Sequence, residues 1–215
     1  MAVRLIILLL ASLTLTAQPW SATSLRLRET AKVYHGMVET GYNRGPSIDL
    51  FNKKYAYLEA PYCASGLSYL LDAIKASHPN TRSARALDFV NPGCVTKSID
   101  LYTKKKKITR PCVGVFKRSG GGHVCVVLRQ SGDTLFTFEF NTSPGIAGSQ
   151  WNGEWSGFRT RSVKKDCAPL NGFKFTHFIE IHIDDATIKS LAGVPDSLLD
   201  GGDHRMVPTQ AVTGW

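Results

Sequence analysis

The chain has 215 residues, 43% of them hydrophobic and 20% charged, a composition that suits one globular domain and argues against a disordered chain. No apolar run beyond the first residues is long enough for a membrane helix, which excludes an integral membrane protein once a leader is removed. The formal charge of +9 points to anionic partners such as cell-wall polymers, nucleic acid or lipid head groups. No basic strand interleaved with aromatics is present, so no nucleic-acid partner is expected.

Arg4 precedes an unbroken apolar run, Leu5 to Ala11, followed by small residues. That is the layout of a secretory signal peptide, and it predicts residues 1–22 as a leader. Cleavage after Ala17 is preferred over Ala22, because a bulky Trp20 sits three places before the second option. The protein is therefore expected in the periplasm or secreted, as a monomer, with one domain over 23–195 and a mobile Gly- and Asp-rich tail over 196–215.

Apolar spacing predicts a helix over Leu27 to Glu39, ended by Gly41. Pro46 opens a second helix, with Ile48, Phe51 and Tyr55 inward. A third begins at Cys63, where Leu67, Leu70, Leu71 and Ile74 continue one face, with Pro61 in its first turn. Thr81 is a fair N-cap for a short fourth helix, and Val95 to Tyr102 reads as a weak helix. Strands follow. Val113 to Val115 and Val124 to Leu128 form a hairpin around Gly120-Gly121-Gly122. Thr134 to Asn141 alternates strictly, with Phe136, Phe138 and Phe140 on one face and Thr137, Glu139 and Asn141 on the other. Phe158 to Val163 and Lys174 to Ile183 add two more strands. Helices first and strands second predict an α+β fold with a mostly antiparallel sheet of about five strands.

Cys63 carries the chemistry. A lone cysteine is usually a small buried hydrophobe, but one in a first helical turn faces unpaired N–H groups and the positive end of the helix dipole. Both favour the nucleophilic thiolate. His123 opens a strand directly after three glycines, where a general base at a rim is reachable. Glu139 and Asn141 share the polar face of a neighbouring strand, and either is placed to accept the imidazole N–H. Tyr62 and Gly122, beside the two reactive positions, are expected at substrate. No cofactor is implied. His177 and His182 fall on opposite strand faces, which argues against a shared metal.

Five cysteines in an oxidising compartment leave at least one thiol over, and Cys63 is the best candidate. Cys94, Cys112, Cys125 and Cys167 admit three pairings. Cys125 shares His123's strand face and is expected as a buried thiol under the Cys63 helix. Cys94 with Cys112 is then the favoured bridge.

Gly41-Tyr42-Asn43-Arg44-Gly45-Pro46, Ala60-Pro61-Tyr62-Cys63-Ala64, Gly122-His123-Val124, Glu139-Phe140-Asn141-Thr142 and Gly157-Phe158-Arg159-Thr160-Arg161, in that order, resemble the CHAP branch of the NlpC/P60 cysteine peptidases. The resemblance spans roughly Gly41 to Arg161. It implies a papain-like fold, peptidoglycan as substrate, Cys63 as nucleophile, His123 as base, and Glu139 and Asn141 as the positions that orient the histidine. It implies cleavage of an amide bond, as amidase or endopeptidase. The alternatives are a catalytically silent wall-binding module or an exported antibacterial toxin with the same chemistry. The chain departs from the family pattern at Pro111-Cys112, where Gly-Asp is usual, and at Cys125 and Phe140, where glycine is common. These positions lie in the packing beneath the site.

Overall fold

A computed structural model describes residues 21–77, 82–90, 95–118, 120–143, 153–169 and 172–183. Residues 1–20 of the proposed leader, the tail, Cys94 and Thr81 lie outside these residues; Ser21 and Ala22, the last two leader positions, are the cap and first residue of the first helix. The fold is α+β: three helices, α1 (Ala22–Lys32), α2 (Pro46–Tyr55) and α3 (Cys63–Ala73), precede most of the strands. A six-stranded antiparallel sheet runs in the order β2 (Val95–Lys97), β7 (Lys174–Glu180), β3 (Cys112–Arg118), β4 (Gly121–Ser131), β5 (Thr134–Thr142) and β6 (Trp155–Ser162). A two-stranded ribbon joins β1 (Ala76–Ser77) to β8 (His182–Ile183). Two short helices, α4 (Ser98–Tyr102) and α5 (Val163–Asp166), complete the described elements. Among the described residues no helix is long and apolar enough to cross a membrane.

Both faces of the sheet are covered, which is why its central strands read as near-continuous apolar runs. One face takes α1, α2 and α3: Leu27, Phe51, Leu67, Leu70 and Leu71 meet Val113, Val115, Val124, Val126, Phe138 and Phe140. The other is sealed by Leu101, Ile108 and Val163 over Cys112, Phe116, Cys125, Val127, Leu135, Phe175 and Phe178.

Several elements differ from the sequence expectation. Helix α1 starts five residues earlier than predicted, because Ser21 caps it by accepting from the Ser24 N–H at 3.1 Å. It stops at Lys32, and the chain leaves to β6 through the Gly36 N–H to the Ser156 carbonyl. Val95 to Tyr102 divides into β2 and α4, since β-branched Val95 and Thr96 favour the strand beside β7. The predicted fourth helix is only a 3₁₀ turn, Ala86–Phe89. The sheet has six strands rather than five, the sixth being β2 at its edge. Phe138 and Phe140 are buried as expected, but Phe136 is half-buried, with the Arg129 guanidinium 4.4 Å over its ring.

Candidate active site

Cys63 is the first residue of α3, with Tyr62 as its N-cap, so Pro61 lies one residue before the cap rather than inside the first turn. No acidic side chain occupies that turn, and the thiol takes the position an anion favours. The N–H groups of Val124 and Ala64 point at its sulfur. His123, at the start of β4, hydrogen-bonds to Cys63 and faces Glu139 on β5, Nε2 to Oε2, at 3.2 Å. With Nε2 turned to Glu139, Nδ1 is the nitrogen left to serve Cys63. All three side chains are buried, at 8%, 5% and 0% exposure.

The electrostatics of the three groups are linked. Burial pushes the Cys63 thiol up, but the His123 hydrogen bond and charge and the two N–H groups outweigh it, so its pKa falls below the ordinary thiol value. Burial would lower His123, yet the hydrogen bonds and charges of Cys63 and Glu139 raise it to about 9. Burial would raise Glu139, but His123 and Arg161 hold it well below the usual carboxylate range. The arrangement favours a thiolate, an imidazolium and a carboxylate in a row.

Asn141 does not reach His123 through any of its described contacts. Its φ of 51° turns the end of β5, and its Nδ2 donates to Asn43 Oδ1 at 3.3 Å. Asn43, at φ 48°, donates from Nδ2 to the carbonyl of Glu59 at 3.0 Å, and Glu59 itself sits at φ 69°. Three non-glycine residues in left-handed backbone thus form one chain, a pattern held only where surrounding contacts impose it. Buried Asn52 adds a second tie: Nδ2 donates to the Ala60 carbonyl at 2.8 Å, while Oδ1 accepts from Ser65 at 2.6 Å. Two asparagines therefore hold consecutive carbonyls just ahead of Cys63. Of the two positions expected to orient the histidine, Glu139 makes the contact, and Asn141 is spent on the loop before the nucleophile.

A groove of about 460 Å³ opens at Cys63. Tyr57, Ala60 and Pro61 form one wall, Ala84 to Leu87 another, and Gly120 to Gly122 the third. Most of these residues are small, and Arg85 is the one charged side chain among them. Gly122 lines the groove as expected and has a structural reason too: a Cβ there would stand 2.8 Å from the Phe116 carbonyl oxygen and 2.9 Å from Leu87. Tyr62 corrects the expectation of substrate contact. It is fully buried beside Cys63 and is not among the residues that line the groove, and burial pushes its hydroxyl up beyond the ordinary phenol range.

Among the described residues Cys63, Cys112, Cys125 and Cys167 are free and buried, Cys63 and Cys125 as expected, whereas Cys112 is free where a bridge to Cys94 was anticipated; Cys94 itself lies outside the described residues. Cys125 does share His123's parity along β4, but it packs in the second core and not under α3. Val124, Val126 and Leu128 are the residues that meet the helices. Arg161, which the sequence places in a strand motif without a role at the site, grips both oxygens of Glu139 from β6. No family model, curated protein or solved structure matches the chain.

Proposed function

We propose that the protein is an exported cysteine hydrolase that cuts amide bonds in cell-wall peptidoglycan, on a papain-like arrangement of helix-borne cysteine and strand-borne histidine. The observation that carries this reading is the Cys63–His123–Glu139 row ending at an open groove. The basic composition, the leader-like N-terminus and the ordered motifs support the wall as substrate.

The chemistry follows from the row. The Cys63 thiolate attacks the amide carbonyl carbon, and the electron pair of the carbonyl moves to oxygen. The Cys63 N–H, one of the open donors of the first helical turn, faces that oxyanion. The oxyanion collapses, the C–N bond breaks, and His123 gives its Nδ1 proton to the departing amine. Neutral His123 then takes a proton from water, whose oxygen attacks the thioester. The acid leaves and the thiolate–imidazolium pair is restored. Glu139 stays ionised throughout and fixes the ring.

The test is digestion of purified peptidoglycan by the exported protein, read by mass spectrometry of the soluble fragments. New amine and carboxyl termini should accumulate with wild type and fall by orders of magnitude with Cys63→Ser or His123→Ala. Release by Cys63→Ser at the wild-type rate, or none by wild type, overturns the assignment. The masses identify the bond and separate amidase from endopeptidase.

A further inference from the structure

Glu139 is fully buried, yet five donor groups converge on its two oxygens. Oε1 accepts from Arg161 Nε at 2.7 Å and from Thr137 Oγ1 at 2.9 Å. Oε2 accepts from Arg161 Nη2 at 2.5 Å and Thr142 Oγ1 at 3.3 Å, and faces His123 Nε2 at 3.2 Å. The Arg161 guanidinium lies 5.1 Å over the Phe116 ring, which stacks on Phe175 and Phe173, and the His123 ring rests 5.7 Å from Phe116. Arginine and histidine are thus set on one aromatic floor.

We propose that Arg161 is a positioning residue of the Cys63 site, acting through Glu139 to keep the proton of the Glu139–His123 pair on the histidine. The proposal rests on the reading of Cys63 as nucleophile.

A carboxylate and an imidazolium buried together have an alternative: the proton moves to the carboxylate and both groups become neutral. In a low-dielectric interior that state avoids the desolvation cost of two charges. A neutral histidine would leave Cys63 as a thiol. Arginine removes the alternative, because its guanidinium does not give up its charge. Protonating Glu139 would then strand a buried cation, and the two-point grip would lose one acceptor. The proton therefore stays on His123, beside the sulfur.

The other groups around the pair do not substitute for Arg161. Arg159, also from β6, directs its Nη1 to Thr142 Oγ1 at 2.8 Å and the Ser143 carbonyl at 2.5 Å. Cys125, from β4, is kept a neutral thiol by burial. Asp166, from α5, lies within electrostatic reach of both arginines and reinforces their charge. Cys63 on α3 is the remaining charged group against His123.

The experiment is the pH dependence of Cys63 alkylation by iodoacetamide, followed by mass spectrometry of the Cys63 peptide. It needs no substrate. Wild type should alkylate with a midpoint below the ordinary thiol value. R161M should move that midpoint up by at least one unit and slow alkylation at neutral pH about tenfold, one unit being a factor of ten. R161K, which keeps charge and loses the fork, should fall between. A merely structural arginine would lower the melting temperature and leave the midpoint in place, and that result overturns the proposal. Should R161M fail to fold, R161M combined with E139Q leaves no buried charge unpaired. That double variant should match E139Q alone in midpoint, and a separate effect of R161M there overturns action through Glu139. An ordinary thiol midpoint in wild type would instead defeat the nucleophile reading itself.

Discussion

Cys63 and His123 each stabilise the charged form of the other, so their titrations belong to the pair. The pH profile of kcat/KM should be bell-shaped. Its acid limb should lie below the ordinary thiol value, and its basic limb near the His123 value of about 9. The same values fix a stability profile. His123 has a folded pKa above its ordinary value of 6.5, so its contribution is complete below that value and lost as pH rises through about 9. Glu139 is displaced downwards from 4.5, so its contribution holds above that value and is lost only in stronger acid. On these two contributions melting temperature should be highest between about pH 4.5 and 6.5 and decline from about 6.5 to about 9. In Cys63→Ala the decline should be complete at a lower pH, since one of the partners that raises His123 is gone; an unmoved end to the decline would mean the two groups do not interact. Packing at single residues is as specific. Phe140 and Cys125 each face a glycine. A Cβ on Gly66 of α3 would stand 2.6 Å from the Phe140 ring, and one on Gly114 of β3 would stand 3.3 Å from the Cys125 sulfur. The larger side chain and the facing glycine form a complementary pair. Gly66→Ala should cost about 1–3 kcal/mol through overpacking, measured by urea unfolding. Gly66→Ala combined with Phe140→Leu should recover part of that loss.

At the level of elements, the segment before Cys63 is held from two directions. Asn43 takes the Glu59 carbonyl from the turn ahead of α2, and Asn52 takes the Ala60 carbonyl from α2 itself. Asn52→Ala removes a buried donor and acceptor together, leaving the Ala60 carbonyl and the Ser65 hydroxyl unpaired. Stability should drop by about 1–3 kcal/mol in denaturant titration. Cys63 alkylation should slow as well, because the start of α3 loses its anchor; a loss of stability with unchanged alkylation would show that the clamp is structural only. Helix α1 bears on processing. Ser21 caps it, and Ser24 donates from its buried hydroxyl to the Leu128 carbonyl at 2.8 Å. Cleavage after Ala22 would remove the cap, whereas cleavage after Ala17 keeps it, so terminal sequencing of exported protein should begin at Gln18. What was legible in the chain was periodic. Pro46 and the Ile48–Phe51 spacing defined α2, the Leu67–Leu70–Leu71 stripe defined α3, and alternation around Glu139 placed it opposite Phe138 and Phe140. Cys63, His123 and Glu139 could be named because nucleophile, base and acceptor are types that each chemistry requires. The remainder depended on tertiary contact. Arg161 and Asn52 look like ordinary polar members of a strand and a helix, and only the fold brings them to Glu139 and to the Ala60 carbonyl. The face of β4 that meets α3 was misassigned, since alternation gives two faces without saying which one a helix covers.

For the whole molecule, the charge and the groove are separate features. The formal charge is +9, and its densest run, Lys104 to Lys107, is exposed in the connection between α4 and β3. The flanking residues Leu101 and Ile108 pack into the second core, on the face of the sheet opposite α3. The groove, by contrast, is walled mostly by small residues with Arg85 alone charged. Attraction to an anionic wall should therefore come from surface remote from the reacting atoms, and it should weaken with salt as the Debye length falls from about 10 Å at 0.1 M to about 3 Å at 1 M. Two quantities should separate on raising the ionic strength. Co-sedimentation with insoluble wall should fall steeply, while cleavage of a small soluble stem-peptide substrate should change little. Replacing all four lysines by glutamine should reproduce the first effect without the second. Cys63→Ser should do the reverse, abolishing cleavage and leaving co-sedimentation and its salt dependence intact. Equal loss of soluble-substrate cleavage in the four-lysine variant would place the charge in the catalytic step, and the separation of wall attraction from chemistry would be wrong.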